Sequence, residues 1–408
     1  YKTYFVDHHD ETNDLSTRGS LVANAASIEN EYYKVEVEKD TPTLKIMDKL
    51  TGKIYEHCNF FVDGGDKGDT HTFCSPEADR IVNSSDQPFK TSLVEDGPVR
   101  GTLKIEFGLK LPKSLSEDRR SRSDKTILCP VVTSVSLYPK VKRIDFRTEI
   151  DNKAKDHRLR VYFPTKIKTD YCYAEGNFDV IKREIDIPEA TGWAEKPSGV
   201  YPQRTFVDVN DGEDGLALIN RGLPEFQVIR EENGSTIVLT LLRCIGRLGR
   251  ADLSVRHGGG GLFELPKAQC LSRYVFEYSL VPHSGTWESS EVYRDAHWFN
   301  TRLRAYQTNP HSGKLPPELS FINVEPPSLV ISAIKKSEEG NFLILRLYNI
   351  VGANRVGKIK IFEPWKEAKL VNLIEEATDN QSLPKGDKEE LYLKFRGGQI
   401  KTIRFAIK

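Results

Sequence analysis

The sequence has a single methionine, Met47, in 408 residues, and it opens at Tyr1. A piece of a longer polypeptide is expected from that. It has no surplus of charge: 59 basic side chains face 59 acidic ones, and the pI is about 7.2. A protein that grips nucleic acid by neutralising phosphates needs a net basic face, so no nucleic-acid partner is expected. Nor is there an apolar run approaching the roughly 18 residues of a membrane-crossing helix, or a charged-then-apolar leader at the start, and no membrane partner is expected. The six cysteines (Cys58, Cys74, Cys129, Cys172, Cys244, Cys270) form no C-x-x-C pair and no regular spacing. They read as buried thiols in a reducing compartment, and a cytoplasmic location is the corresponding expectation. Catalytic signatures are missing as well. There is no G-x-x-x-x-G-K-[ST], no G-x-G-x-x-G opening a helix, no G-x-S-x-G and no H-E-x-x-H. The nine histidines are dispersed, and the one near-motif, His8-His9-Asp10, lies in a polar stretch that reads as a terminal tail.

What is present is alternation. From 28 to 286, short segments of period two are separated by turn residues, the pattern of antiparallel strands with one face in a core. Tyr33, Val35 and Val37 alternate with polar residues; Leu44, Ile46 and Ile54 flank Asp48-Lys49-Leu50-Thr51-Gly52, where glycine can supply the positive φ of a tight turn. The same grammar recurs at 99–112, at 126–150 across Tyr138-Pro139-Lys140, at 204–220 across Asn210-Asp211-Gly212, and at 225–246 across Asn233-Gly234. One segment departs from it: Val292, Ala296, Phe299, Leu303 and Tyr306 fall at spacings of four, three, four and three, a helical stripe that Ser289 and Ser290 could cap. A polar, proline-containing stretch follows and then strands resume. The expected organisation is an extended lead-in over 1–27, a large β domain over 28–286, a helix and linker over 287–318, and a small β-sandwich over 319–408.

Two segments carry candidate chemistry. The first runs from Phe60 to Pro76 and holds Asp63, Asp66 and Asp69 among glycines, with His71 close behind. Carboxylates accept paired hydrogen bonds from vicinal hydroxyls, which suits a polyol; the alternative is a long turn whose aspartates bond their own backbone. The second, Leu242 to Gly261, holds Arg243, Arg247, Arg250 and Arg256 before a run of four glycines. Those arginines could clamp an anionic or polyol ligand, or pair with nearby carboxylates.

Taken in order, Ile28 to Val35, Thr43 to Tyr55, the Phe61–Pro76 loop, Gly212 to Pro224, Leu241 to Arg256, Ala268 to Trp287, Ser332 to Glu338 and Leu345 to Asn349 resemble the β-rich half of glycoside hydrolase family 38, the α-mannosidases. The resemblance implies an all-β fold: a large antiparallel super-sandwich (galactose-mutarotase-like), one helix, and a smaller C-terminal β-sandwich. It also implies that the parent protein hydrolyses α-mannosides with retention, by two carboxyl groups about 5–5.5 Å apart. In the family that pair and the zinc ligands lie in an upstream barrel. This chain is therefore expected to lack the catalytic pair, to hold no metal or cofactor itself, and to have that barrel and a mannose-containing glycan as partners, with Zn²⁺ in the parent enzyme. His8 and Asp10 share the spacing of the family's zinc motif without its flanking residues. By motif, the sugar would be met by the loop carrying Asp63, Asp66, Asp69 and His71, by Arg250 and by Arg256; many relatives have tyrosine where His71 stands. The competing expectation is a free-standing carbohydrate-binding module that uses Trp193, Trp287, Trp298 or Trp365 as a platform, with Trp298 partly in the core and Trp193 the better exposed. A purely structural role, stabilising the barrel or an oligomer, is the third.

Overall fold

The computed structural model describes residues 1–5, 21–256, 259–378, 382–384, 386 and 390–407. His8 and Asp10 lie outside them. The fold is all-β, with antiparallel strands in several sheets and one α-helix among the described residues. It divides into two compact units: Asp14–Ala174 with Lys182–Thr301, and Tyr1–Asn13 with Glu175–Ile181 and Arg302–Lys408.

In the larger unit the alternating segments form the hairpins their turn residues announce. Leu44–Asp48 pairs with Ile54–Cys58, and the intervening turn is closed by the Leu50 N–H donating to Asp48 Oδ1 at 2.9 Å. Gly101–Pro112 pairs with Thr126–Leu137, and Glu225–Glu231 with Gly234–Cys244. Two sheets matter most. A nine-stranded sheet has Ile144–Asp151 and Arg273–Ser284 near its middle and Phe89–Asp96 at one edge; a six-stranded sheet has Gly234–Cys244, His157–Pro164 and Phe60–Gly65 at its centre. Their facing sides are apolar at every second residue, and that spacing makes the core. Phe146 and Tyr278 from the first sheet stack at 5.2 Å, and Phe163 from the second meets Phe146 edge-on at 5.7 Å. Such pairs add to the burial itself.

The smaller unit is a sandwich of a three-stranded sheet (Ile322–Glu325, Arg355–Ile361, Glu390–Phe395) and a four-stranded sheet (Leu329–Lys336, Leu343–Asn349, Ile400–Ile407, Trp365–Val371). Its core gathers Leu345, Ile359, Trp365, Leu391, Phe395, Ile403 and Phe405.

Three expectations change. The helix is shorter than its stripe, spanning Val292–Asn300; Leu303 and Tyr306 lie beyond it, fully and 82 % exposed. Its first cap is Glu291 in the left-handed region with no side-chain bond, while the Ser289 hydroxyl is tied to Thr286. The residues through Thr301 belong to the larger unit, so the 287–318 segment is divided. The 1–27 segment contains the strand Val22–Asn24 and the first residue of Ser27–Glu29.

Candidate functional site

The strand Phe60–Gly65 points alternate side chains inward, and that alternation decides the fate of Asp63. Its carboxylate is fully buried, paired with Arg122 Nη2 through one oxygen and with His157 Nδ1 through the other. His157 Nε2 in turn lies 3.1 Å from Asn152 Oδ1. Asp63, expected as a sugar ligand, has no lone pair facing solvent. It is the base of the loop.

Beyond Gly65 the chain leaves the sheet and closes on itself. The Lys67 N–H donates to the Cys74 carbonyl at 2.8 Å and the Asp69 N–H to that of Thr72 at 3.1 Å. Asp66 Oδ1 accepts from the N–H groups of Gly68 (2.9 Å) and Cys74 (3.2 Å), and Oδ2 accepts from Arg243 Nε at 2.9 Å. Asp69 Oδ1 accepts from His71 and Thr72 N–H, both at 3.0 Å; Oδ2 accepts from the Arg250 N–H at 2.8 Å and from Arg256 Nη2. Both carboxylates are fully buried. Burial holds Asp66 above the usual carboxylate range despite Arg243 and the Gly68 and Cys74 donors. At Asp69 burial also pushes upward, but the Thr72, His71 and Arg250 N–H groups together with Arg256 outweigh it and hold the carboxyl low. A Cβ at Gly68 would lie 2.1 Å from the Thr72 carbonyl oxygen, so only glycine fits inside this turn. The far end is held by Phe73, whose ring centre sits 3.4 Å from the Arg158 guanidinium. Burial, then the neighbouring Arg160, lowers Arg158 to about 10.

The second segment lies against this loop. Arg250 donates through Nε to the Gly68 carbonyl at 3.0 Å, Thr70 donates its hydroxyl to the Leu248 carbonyl at 2.6 Å, and Arg256 Nε donates to Thr72 Oγ1 at 2.9 Å. From a third segment, Arg119 reaches the Lys67 carbonyl and pairs with Asp252. The structure thus brings Asp66, Asp69, His71, Arg250 and Arg256 together and leaves Asp63 beneath them. The three aspartates, expected to accept sugar hydroxyls, hold the loop's own backbone and arginines instead. What faces outward is the exposed His71 imidazole, which makes no hydrogen bond among the described residues, and the end of the half-buried Arg250. Arg119, Arg122 and Arg158 were missed as partners of this loop. Arg119 and Arg122 stand in the basic run Arg119-Arg120-Ser121-Arg122, and Arg158 stands two positions from Arg160 on one strand, but neither grouping names its distant partner.

Residues 28–247, more than half of the chain, match the family described as glycosyl hydrolases family 38 C-terminal domain, and residues 328–403 match the glycosyl hydrolases family 38 C-terminal beta sandwich domain. The chain belongs to glycosyl hydrolase family 38. It is 26 % identical to a putative mannosylglycerate hydrolase from Halalkalibacterium halodurans over 97 % of this chain and 43 % of that protein. It is also 26 % identical to mouse alpha-mannosidase 2C1 over 64 % of this chain and 23 % of that one. A solved alpha-mannosidase from Enterococcus faecalis superposes with a TM-score of 0.83 at 28 % identity, over 95 % of this chain and 43 % of the other. The chain therefore spans less than half the length of these family 38 relatives.

Within this family 38 region, no group of three or more His, Cys, Asp or Glu among the described residues is placed to hold a metal ion. The loop carboxylates are each neutralised by an arginine. The donor set does not fit a zinc ion. A Ser–His–Asp alignment does occur elsewhere: Ser290 Oγ lies 3.0 Å from His283 Nδ1, and His283 Nε2 lies 2.6 Å from Asp208 Oδ2. Ser290 gives its proton to the Ser284 and Thr286 carbonyls, and the Thr286, Ser289 and Ser290 N–H groups are already bonded. With no free nucleophile and no donors for an oxyanion, this is a clasp ahead of the helix rather than an active site. Trp287 and Trp365 are buried, whereas Trp193 and Trp298 are each 59 % exposed, so Trp298 is not the partly buried residue expected. The Arg294 guanidinium covers its ring at 4.8 Å. All six thiols are free, five buried and Cys270 half-buried, and no described helix is long and apolar enough to cross a membrane.

Proposed function

We propose that this chain is the C-terminal, non-barrel portion of a retaining, zinc-dependent α-mannosidase acting on α-mannosides or mannose-containing glycans. On this reading the nucleophile, the general acid and the metal ligands belong to an upstream barrel of the same polypeptide, and the chain lends that site one loop and one arginine. The observation that carries the reading is Arg250. Its backbone N–H and Nε lock it onto the loop at Asp69 and Gly68, while its two terminal nitrogens have no hydrogen bond among the described residues. A guanidinium fixed at one edge and vacant at the other is prepared to bind without further ordering cost. His71 stands beside it as a second group for a hydroxyl. Asp66, Asp69, Arg243 and Arg256 position the loop.

The test is turnover. The purified 408-residue chain, supplied with zinc, is expected to release no chromophore from an aryl α-mannoside under conditions where the full-length protein does. Turnover by the isolated chain overturns the division of labour. Calorimetry with mannose oligosaccharides separates the stand-alone binding module: millimolar or tighter binding by the chain alone supports the module instead.

A further inference from the structure

Where the strand Gly234–Cys244 ends, the chain loops out and returns past its own end in the opposite direction. The Ile245 N–H donates to the Ala268 carbonyl at 3.1 Å and the Leu265 N–H to that of Gly246 at 2.8 Å, and this pairing brings Cys244 beside Cys270. The Cys244 thiol bonds the Cys270 sulfur. Asn152 fixes both residues: its Nδ2 donates to Cys244 Sγ at 3.3 Å and to the Cys270 carbonyl at 3.0 Å. Cys129 meets only the oxygen of that amide, at 4.0 Å. Cys244 is fully buried, whereas Cys270 is half-buried and has the Tyr274 hydroxyl as a further partner. The bond from Cys244 lowers Cys270 most, burial opposes it, and Tyr274 and the nearby His157 add to the lowering, which brings this thiol down to about 6. Cys244 is held up instead, by the bond to Cys270 and by burial. One sulfur is thus a thiolate at neutral pH that solvent can reach, and the other is a protonated thiol held against it.

We propose that Cys270 and Cys244 form a redox-active pair that a hydroperoxide converts to a disulfide. The Cys270 sulfur attacks one peroxide oxygen, the O–O bond breaks, and the departing oxygen takes up a proton; with hydrogen peroxide the products are the sulfenic acid and water. The Cys244 sulfur then attacks the sulfenic sulfur, the S–O bond breaks, and hydroxide leaves with the Cys244 proton as a second water. The two thiols lose two electrons and the peroxide gains them. The new bond ties Cys270 to a central strand of the six-stranded sheet. Its neighbour Gln269 accepts from the Asp156 N–H at 2.9 Å and donates to Asp156 Oδ1 at 2.6 Å, and the Asp156 carbonyl accepts from the Asp66 N–H at 2.9 Å. The disulfide therefore stiffens the base of the Phe60–Pro76 loop.

The experiment exposes the reduced full-length protein to hydrogen peroxide, blocks the remaining thiols with iodoacetamide, and maps tryptic peptides by mass spectrometry without reduction. The expected product joins Cys244-Ile245-Gly246-Arg247 to Ala268-Gln269-Cys270-Leu271-Ser272-Arg273, lighter by two hydrogens than its parts. It is expected to form about tenfold faster than Cys58 or Cys172 is modified, and a dithiol is expected to reverse it. Oxidation is expected to raise Tm by about 5 °C. In Cys244→Ser, Cys270 is expected to stop at the sulfenic acid, which dimedone traps. The wild-type map requires no variant to fold. A wild-type Cys270 that stays reduced, one that passes to the sulfinic acid without cross-linking, or a disulfide from Cys244 to Cys129 overturns the proposal. A cross-link that leaves Tm unchanged overturns the stiffening of the loop.

Discussion

At the scale of single residues, the strongest commitment in the chain is the buried triad of Asp63, Arg122 and His157. A carboxylate with no exposed surface is tolerated only because two cationic or hydrogen-bonding groups meet it. Removing one partner leaves an uncompensated charge, which costs about 3–5 kcal/mol, while removing both members of the pair costs less. Arg122→Met is therefore expected to destabilise by about 3 kcal/mol or more, and Asp63→Asn with Arg122→Met to recover part of the loss. Urea unfolding of the two single variants and the double variant checks this, and additive losses would contradict the pairing. None of this was visible in the residues around Asp63. Its partners come from 59 and 94 positions away, and those of Asp66 and Asp69 from 177 and 187. A sequence reports spacing along the chain, so aspartates facing a ligand and aspartates facing distant arginines look alike in it.

At the scale of elements the sequence was more legible, because a half-buried antiparallel strand writes its orientation into every second residue. The strands around Tyr138, Asn210 and Asn233 fall where alternation and turn residues placed them. The helix was legible only in part. Leu303 and Tyr306 continue its spacing by coincidence, and nothing local marks Thr301 as its end, where the N–H turns back to the His297 carbonyl. The approach to that helix is held by His283, which lies between Asp208 and Ser290. Burial alone would lower this imidazole, but Asp208 outweighs it and the net shift is upward from the ordinary value near 6.5. A group whose folded value is raised contributes stability that is fully present below its unfolded value and is lost as pH rises through the folded one. The stability difference between the wild type and His283→Gln is thus expected to be greatest near pH 6 and to shrink toward pH 9. Thermal unfolding across that range checks it. A difference that stays constant with pH would mean that His283 acts through packing against Gly215, where a Cβ would fall 2.0 Å from its ring, and not through charge.

At the scale of the whole molecule, 59 positive and 59 negative side chains cancel, and a pI of about 7.2 leaves almost no net repulsion between copies at neutral pH. Two forces can then bring copies together. One is the attraction between interspersed charges of opposite sign, which salt screens over a Debye length of about 8–10 Å. The other is apolar association through exposed side chains such as Trp193, Leu262 and Phe263, which are 59 %, 58 % and 69 % exposed. They respond oppositely to conditions: the first is strongest at the pI and weakened by salt, the second indifferent to pH and strengthened by sulfate. Because 59 charges of each sign are interspersed along the chain, charge is expected to dominate at low ionic strength. The second virial coefficient, measured by light scattering at low ionic strength, should pass through a minimum near pH 7 and rise there when sodium chloride is added to about 0.15 M. A profile without that minimum, or one in which salt deepens association, would transfer the attraction to exposed apolar side chains such as Trp193 and Phe263.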